Sequence, residues 1–158
     1  MSINNNIKFI IIQAGGKGTR LEHLTYNKPK CLVSIAGKPI LFHTFKSFKN
    51  AKFLIIADYK KEILKKYLKI FAPDINYQIV NTQETGTCSG INQALKLIPA
   101  KTPFVLTWSD LLFFKKPFLR FNKKYNYVGQ SHNLTCRWQF YKNKFKEIKS
   151  KKNGVAGF

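Results

Sequence analysis

Ile7 to Gln13 (IKFIIIQ) is a continuous apolar run that stops at Ala14-Gly15-Gly16. A strand buried on both faces of a parallel sheet has this pattern. Lys52 to Ala57 (KFLIIA) predicts a second such strand, Asn76 to Val80 a third and Pro103 to Thr107 a fourth. Between them the period changes. Pro39 opens a helical stretch, ILFHTFKSF, with proline suited to the first turn. Lys60 to Phe71 places Ile63, Leu64, Tyr67, Leu68 and Phe71 on one helical face and lysines on the other. Ser89 to Ile98 predicts a third helix, with Pro99 just beyond it. Strand and helix thus alternate as far as residue 110, which predicts an α/β fold: a Rossmann-like, mostly parallel sheet flanked by helices. Past that point Tyr125 to Gly129, Thr135 to Tyr141 and Lys144 to Ile148 read as strands separated by polar turns. With no repeat, linker or low-complexity segment, one domain over residues 1–158 is the simplest account.

Composition adds charge. The 28 Lys+Arg against 7 Asp+Glu give a net +21, a field that attracts nucleotides or any other polyanion. Scarce acids also make each carboxylate more informative. Hydrophobic residues at 44% argue against disorder. No run reaches the ~20 apolar residues of a membrane span, so no membrane partner is expected. The start has no secretory-signal pattern, and the expected location is the cytoplasm. Cys31, Cys88 and Cys136 form no CxxC pair, and His23, His43 and His132 complete no zinc spacing, so three reduced thiols are expected.

The chemistry concentrates after the first strand. Ala14-Gly15-Gly16-Lys17-Gly18-Thr19-Arg20 follows it directly, at the strand edge where open α/β sheets bind ligands. Glycines let backbone N–H groups approach a phosphate, Thr19 adds a hydroxyl and Arg20 a planar fork. The spacing is neither a Walker A loop nor GxGxxG. Alone, such a turn is equally a tight strand-to-helix connection.

The order GGxGTRL, T-x-N-K-P-K and L-V-x-I-x-G-K-P-I over residues 8–48 resembles the nucleotidyltransferases that act on sugar phosphates and choline phosphate. That resemblance implies a nucleotide-diphospho-sugar transferase-like fold and a place in nucleotide-sugar and cell-surface polysaccharide synthesis. It implies transfer of an NMP group from an NTP to a sugar 1-phosphate or similar phosphorylated small molecule, with release of pyrophosphate. By position, Ala14, Gly15, Gly16, Gly18 and Thr19 would hold the triphosphate. Arg20 would hold the departing pyrophosphate and Lys30 the α-phosphate. Gln83, Gly86 and Thr87 would meet the nucleoside, although this segment is shorter than the family's and carries Cys88 in place of Ala. Asp110, at the end of the fourth strand, would ligate Mg²⁺. Lys151, with Lys149 an equal rival, would contact the acceptor phosphate. The resemblance also implies a chain incomplete at its C-terminus, with residues 7–110 the nucleotide-binding part and 111–158 the start of the acceptor-binding part. Two other readings stay open: a cytidylyltransferase with a phosphocholine-like acceptor, and a basic nucleic-acid-binding module. The second leaves the glycine loop and Asp110 unexplained, and no sequence-specific nucleic-acid partner is expected.

Overall fold

The computed structural model describes residues 7–82, 87–112, 124–131, 136, 139–142, 144–146 and 154–155. By internal contacts the chain divides into Met1–Arg120 and Phe121–Phe158.

The first unit is built on four parallel strands: β1 (Phe9–Gln13), β4 (Lys52–Ile56), β5 (Tyr77–Val80) and β6 (Phe104–Trp108). A two-residue pair, β2 (Ser34–Ile35) and β3 (Lys38–Pro39), leads into α1 (Ile40–Ser47). The remaining helices are α2 (Lys61–Phe71) and α3 (Thr87–Leu95). The sheet order is β5-β4-β1-β6. Register runs from Phe9↔Lys52 to Gln13↔Ile56 on one side of β1 and from Phe9↔Phe104 to Gln13↔Trp108 on the other.

Alternation along the strands splits the core between two faces. Ile10, Ile12, Phe53 and Ile55 pack with Leu41, Phe45, Leu64 and Leu68 from α1 and α2. Ile11, Leu54, Ile56 and Val80 pack with Ala94 and Ile91 of α3. Burial on both faces is what the unbroken apolar runs encode. Within α2, Leu64 and Leu68 are fully buried, whereas Ile63 and Phe71 are exposed. The sequence-derived face is wider than the sheet covers.

Outside the periodic segments, Lys30–Leu32 is a 3-10 turn that drives Cys31 and Leu32 into the core. The β2–β3 turn then places Ala36 at φ 50° and Gly37 at φ 76°, the left-handed pair that a two-residue hairpin loop requires. Among residues 125–129 there is no strand, and Tyr125 and Tyr127 are exposed, so no burial drives extension there.

In the second unit, β7 (Gln130–Ser131), β8 (Gln139–Tyr141), β9 (Lys144–Lys146) and β10 (Gly154–Val155) form an antiparallel sheet of order β7-β10-β8-β9. Val155 is buried. No helix among the described residues is long and apolar enough to cross a membrane.

Candidate active site

The chain runs from β1 outward to β4 and β5, then returns across β1 to β6. The order therefore reverses at the seam between β1 and β6, and ligands of open α/β sheets bind at the carboxyl end of such a seam. A cleft of about 580 Å³ lies there, lined among others by Gly15, Gly16, Gly18, Thr19, Arg20, Lys30, Thr87 and Asp110. A larger hollow of about 1120 Å³ sits between α1 and α2, lined by aromatics such as Phe42, Tyr67 and Phe71. It lacks the glycine loop and Asp110, so the smaller cleft is the chemical one.

Each side chain reaches the cleft for a local reason. Gly18 has φ 69°, and a Cβ there would sit 3.1 Å from both Lys30 Cβ and Thr25 Cγ2. Only glycine allows the loop to fold this tightly against the Lys30 turn. Buried Thr25 holds the loop by donating to Gly18 O at 3.3 Å and Glu22 O at 3.0 Å. Residues Thr19–Thr25 form 3-10 turns that carry Thr19 and Arg20 exposed at the rim. Lys30 is presented by fully buried Pro29 before it and fully buried Cys31 after it. Burial pushes the Cys31 thiol up to about 12, so it is protonated packing rather than a nucleophile.

Asp110 comes from the turn after β6. Ser109 is buried and its N–H donates to Gln13 O at 3.0 Å, which ties the end of β6 to the end of β1. The Lys30 ammonium donates to the Asp110 carboxylate across the cleft. Gln13 also donates through Nε2 to Thr87 O at 2.9 Å, which fixes the first turn of α3 beside the loop. Gln13 is thus a positioning residue that sequence reading passed over. Its glutamine sits at the end of an apolar run, and only the pairing of strand ends reveals what it joins.

The structure brings together Gly15, Gly16, Gly18, Thr19, Arg20, Lys30, Thr87 and Asp110. Ala14 is buried, and its N–H donates to Ile56 O at 2.8 Å, so it anchors the loop to the sheet rather than lining the cleft. Gln83, Gly86 and Lys151 lie outside the described residues. Among the described residues no group of three His, Cys, Asp or Glu could hold a metal. A single carboxylate remains a possible ligand for Mg²⁺, which commonly takes one or two carboxylates plus substrate phosphates.

Comparison with known proteins identifies the family. The family model described as nucleotidyl transferase matches residues 9–144. The chain is 30% identical over 137 residues to the mannose-1-phosphate guanylyltransferase catalytic subunit beta of Drosophila pseudoobscura pseudoobscura, covering 81% of this chain and 37% of that protein. It is 36% identical over 105 residues to the bifunctional protein GlmU of Methanococcus maripaludis, covering 65% of this chain and 25% of that protein. It therefore spans between about a quarter and just over a third of these curated relatives. Among solved structures, CTP:phosphocholine cytidylyltransferase from Streptococcus pneumoniae superposes with a TM-score of 0.60 at 21% identity, covering 85% of this chain and 60% of that one. At that identity the likeness shows the fold alone. HddC from Yersinia pseudotuberculosis gives a TM-score of 0.55 at 28% identity, covering 66% of this chain and 48% of that one.

Proposed function

The chain belongs to the nucleotidyl transferase family, and from that premise we propose that it transfers a nucleoside monophosphate from an NTP to a sugar 1-phosphate or a similar phosphorylated small molecule. The observation that carries this reading is the convergence of the glycine loop, Arg20, Lys30 and Asp110 on one cleft at the reversal of strand order. An acceptor phosphate oxygen attacks the α-phosphorus, the bond to the bridging oxygen breaks, and pyrophosphate leaves. A phosphate monoester is already ionised and needs no base to activate it. The protein's work is then positioning and charge stabilisation.

The loop amides near Gly15, Gly16 and Gly18 cradle the triphosphate with Thr19. Arg20, exposed at the rim, holds the departing pyrophosphate. Lys30 neutralises the charge that builds at the α-phosphate. Gln83 and Gly86 are assigned to the nucleoside, and Lys151 to the acceptor phosphate. Asp110 suits Mg²⁺: its carboxylate is a hard oxygen donor at the mouth of the cleft, and the Lys30 ammonium already stands there as a cation in contact with it. Bound there, Mg²⁺ would supply charge neutralisation. Asp110 would hold it, and Lys30 would serve the α-phosphate. The substrate choice favours sugar phosphates because the curated relatives are named for them. We place the activity in the cytoplasm, where NTPs are available, with the product serving glycan synthesis at the cell surface.

Pyrophosphate release is the test, measured with ATP, GTP, CTP, UTP and dTTP against a panel of sugar 1-phosphates and phosphocholine. Release that requires both a nucleotide and an acceptor is expected. Release with no pair in the panel refutes the proposal.

A further inference from the structure

The four parallel strand ends lie side by side in the order β5, β4, β1, β6. Asp110 follows β6 and the glycine loop follows β1. The next strand end, that of β4, carries Asp58, and the end of β5 carries Asn81 and Thr82. Asp58 lies just outside the lining of the 580 Å³ cleft, beside Gly15, so a nucleotide with its phosphates near Lys30 and Asp110 would meet it only by extending along this edge.

Asp58 joins neighbouring strand ends and keeps acceptor capacity to spare. Its carboxylate lies against the first glycine of the loop: a Cβ at Gly15 would come within 2.6 Å of Asp58 Oδ2. The Tyr59 N–H donates to Gly15 O at 3.4 Å, which keeps the two turns together. The Thr82 hydroxyl donates to Asp58 Oδ1 and fixes the plane of the carboxylate. Asp58 does not cap α2, whose N-terminus has no side-chain cap. Among the described residues it forms no ion pair, although this is a chain of net charge +21 and Lys60 and Lys61 follow closely. Lys61 reaches Asn81 Oδ1 at 3.1 Å instead, and Lys60 lies over the Tyr59 ring at 5.1 Å. An exposed carboxylate with a fixed plane, one acceptor site used and no cation is left facing the loop.

We propose that Asp58 selects the nucleobase, and that the base it selects is guanine. The inference rests on the nucleotide site proposed above. A carboxylate only accepts hydrogen bonds, and it can accept two in parallel. Guanine alone among the common bases presents two adjacent donors, N1–H and an N2 amine hydrogen. Cytosine and adenine pair one amine with a ring-nitrogen acceptor, which the carboxylate repels. Uracil and thymine flank their single N–H with two carbonyls.

The test is calorimetric binding of the Mg²⁺ complexes of GTP, ITP, ATP, CTP and UTP to the full chain and to Asp58→Asn, at one salt concentration. GTP is expected to bind about 10- to 100-fold tighter than ATP, CTP or UTP, the scale of a good bidentate base contact. ITP, which lacks the N2 amine, falls between. Asp58→Asn flattens the order. Tightest binding of another nucleotide, no discrimination, no binding, or a guanine preference that survives Asp58→Asn overturns the inference. Pyrophosphate release in parallel separates the two proposals. The expected binding order without release at any acceptor refutes the transfer and leaves base selection standing. Release with a pyrimidine nucleotide preferred does the reverse.

Discussion

Lys30 and Asp110 are each other's nearest opposite charge, and each stands where the other's ligand is assigned. Both side chains are partly exposed, so the pair adds little stability. Its importance is at the site. Lys30→Ala or Arg20→Ala should lower pyrophosphate release by ~10²–10³, the size of losing one preorganised charge-stabilising group. Asp110→Asn should weaken the Mg²⁺ dependence of nucleotide binding and leave the thermal melt nearly unchanged; an unaltered Mg²⁺ titration counts against its metal role. Thr44 offers a stability test. It is buried in α1, and its Oγ1 has no hydrogen-bond partner among the described residues. Thr44→Val keeps the shape, removes the unmatched hydroxyl and should raise unfolding free energy by about 1 kcal/mol in urea titration. For Cys31 the folded pKa is raised, from 9.0 to about 12. Above pH ~9 the unfolded thiol ionises and the folded one does not, so stability falls as pH rises from ~9 toward ~12. Cys31→Ala should fall less steeply than the wild type over that window. That Gly15, Gly16, Gly18, Thr19, Arg20, Lys30 and Asp110 converge on one cleft was legible because each sits in a local pattern of glycine, proline or strand end. Gln13, Thr25 and Asp58 were not, because their partners are chosen by which strand ends become neighbours.

Elements whose period follows from their own burial were read correctly within a residue or two, except that α3 runs Thr87–Leu95 and stops three residues before the expected Ile98. The four parallel strands and the three helices belong to this group. The strand expected at Tyr125 to Gly129 is absent, and the tyrosines there are exposed. Cys31 and Leu32 enter the core from a 3-10 turn, which no strand or helix period describes. Helix α3 carries the clearest element-scale prediction. Its Gly90 faces the sheet, where a Cβ would overlap Ile56 Cγ2 and stand 3.0 Å from Thr82 Cγ2. Alanine gains ~1 kcal/mol of helix propensity over glycine. Pushing the helix off a buried strand costs about 1–3 kcal/mol, and this term wins. Gly90→Ala should therefore lower the melting temperature. It should also weaken nucleotide binding, because the start of α3 carries Thr87 to the cleft and the Gln13 bond with it. A more stable Gly90→Ala variant would show that α3 has slack against the sheet.

At the scale of the whole molecule the net +21 sets a long-range field. It should give weak binding to any polyanion, with affinity falling steeply as salt rises and no sequence preference. Filter binding to unrelated RNA and DNA at two salt concentrations checks this; tight binding to one sequence at physiological salt would favour a nucleic-acid partner. The position of β1 in the sheet has a consequence for the chain as it is being made. β1 emerges first, and β4 and β5 follow to cover one of its edges. The other edge waits for Phe104–Trp108, after α3 has been synthesised. Until then a nascent chain presents an open strand edge of Ile10, Ile11 and Ile12, a template for any foreign strand nearby. The β1–β6 seam at the cleft is also the last described pairing of the parallel sheet to become available. Ribosome-bound chains stalled before residue 104 should bind no nucleotide and cling to chaperones, and those stalled far enough past Asp110 to clear the exit tunnel should let go.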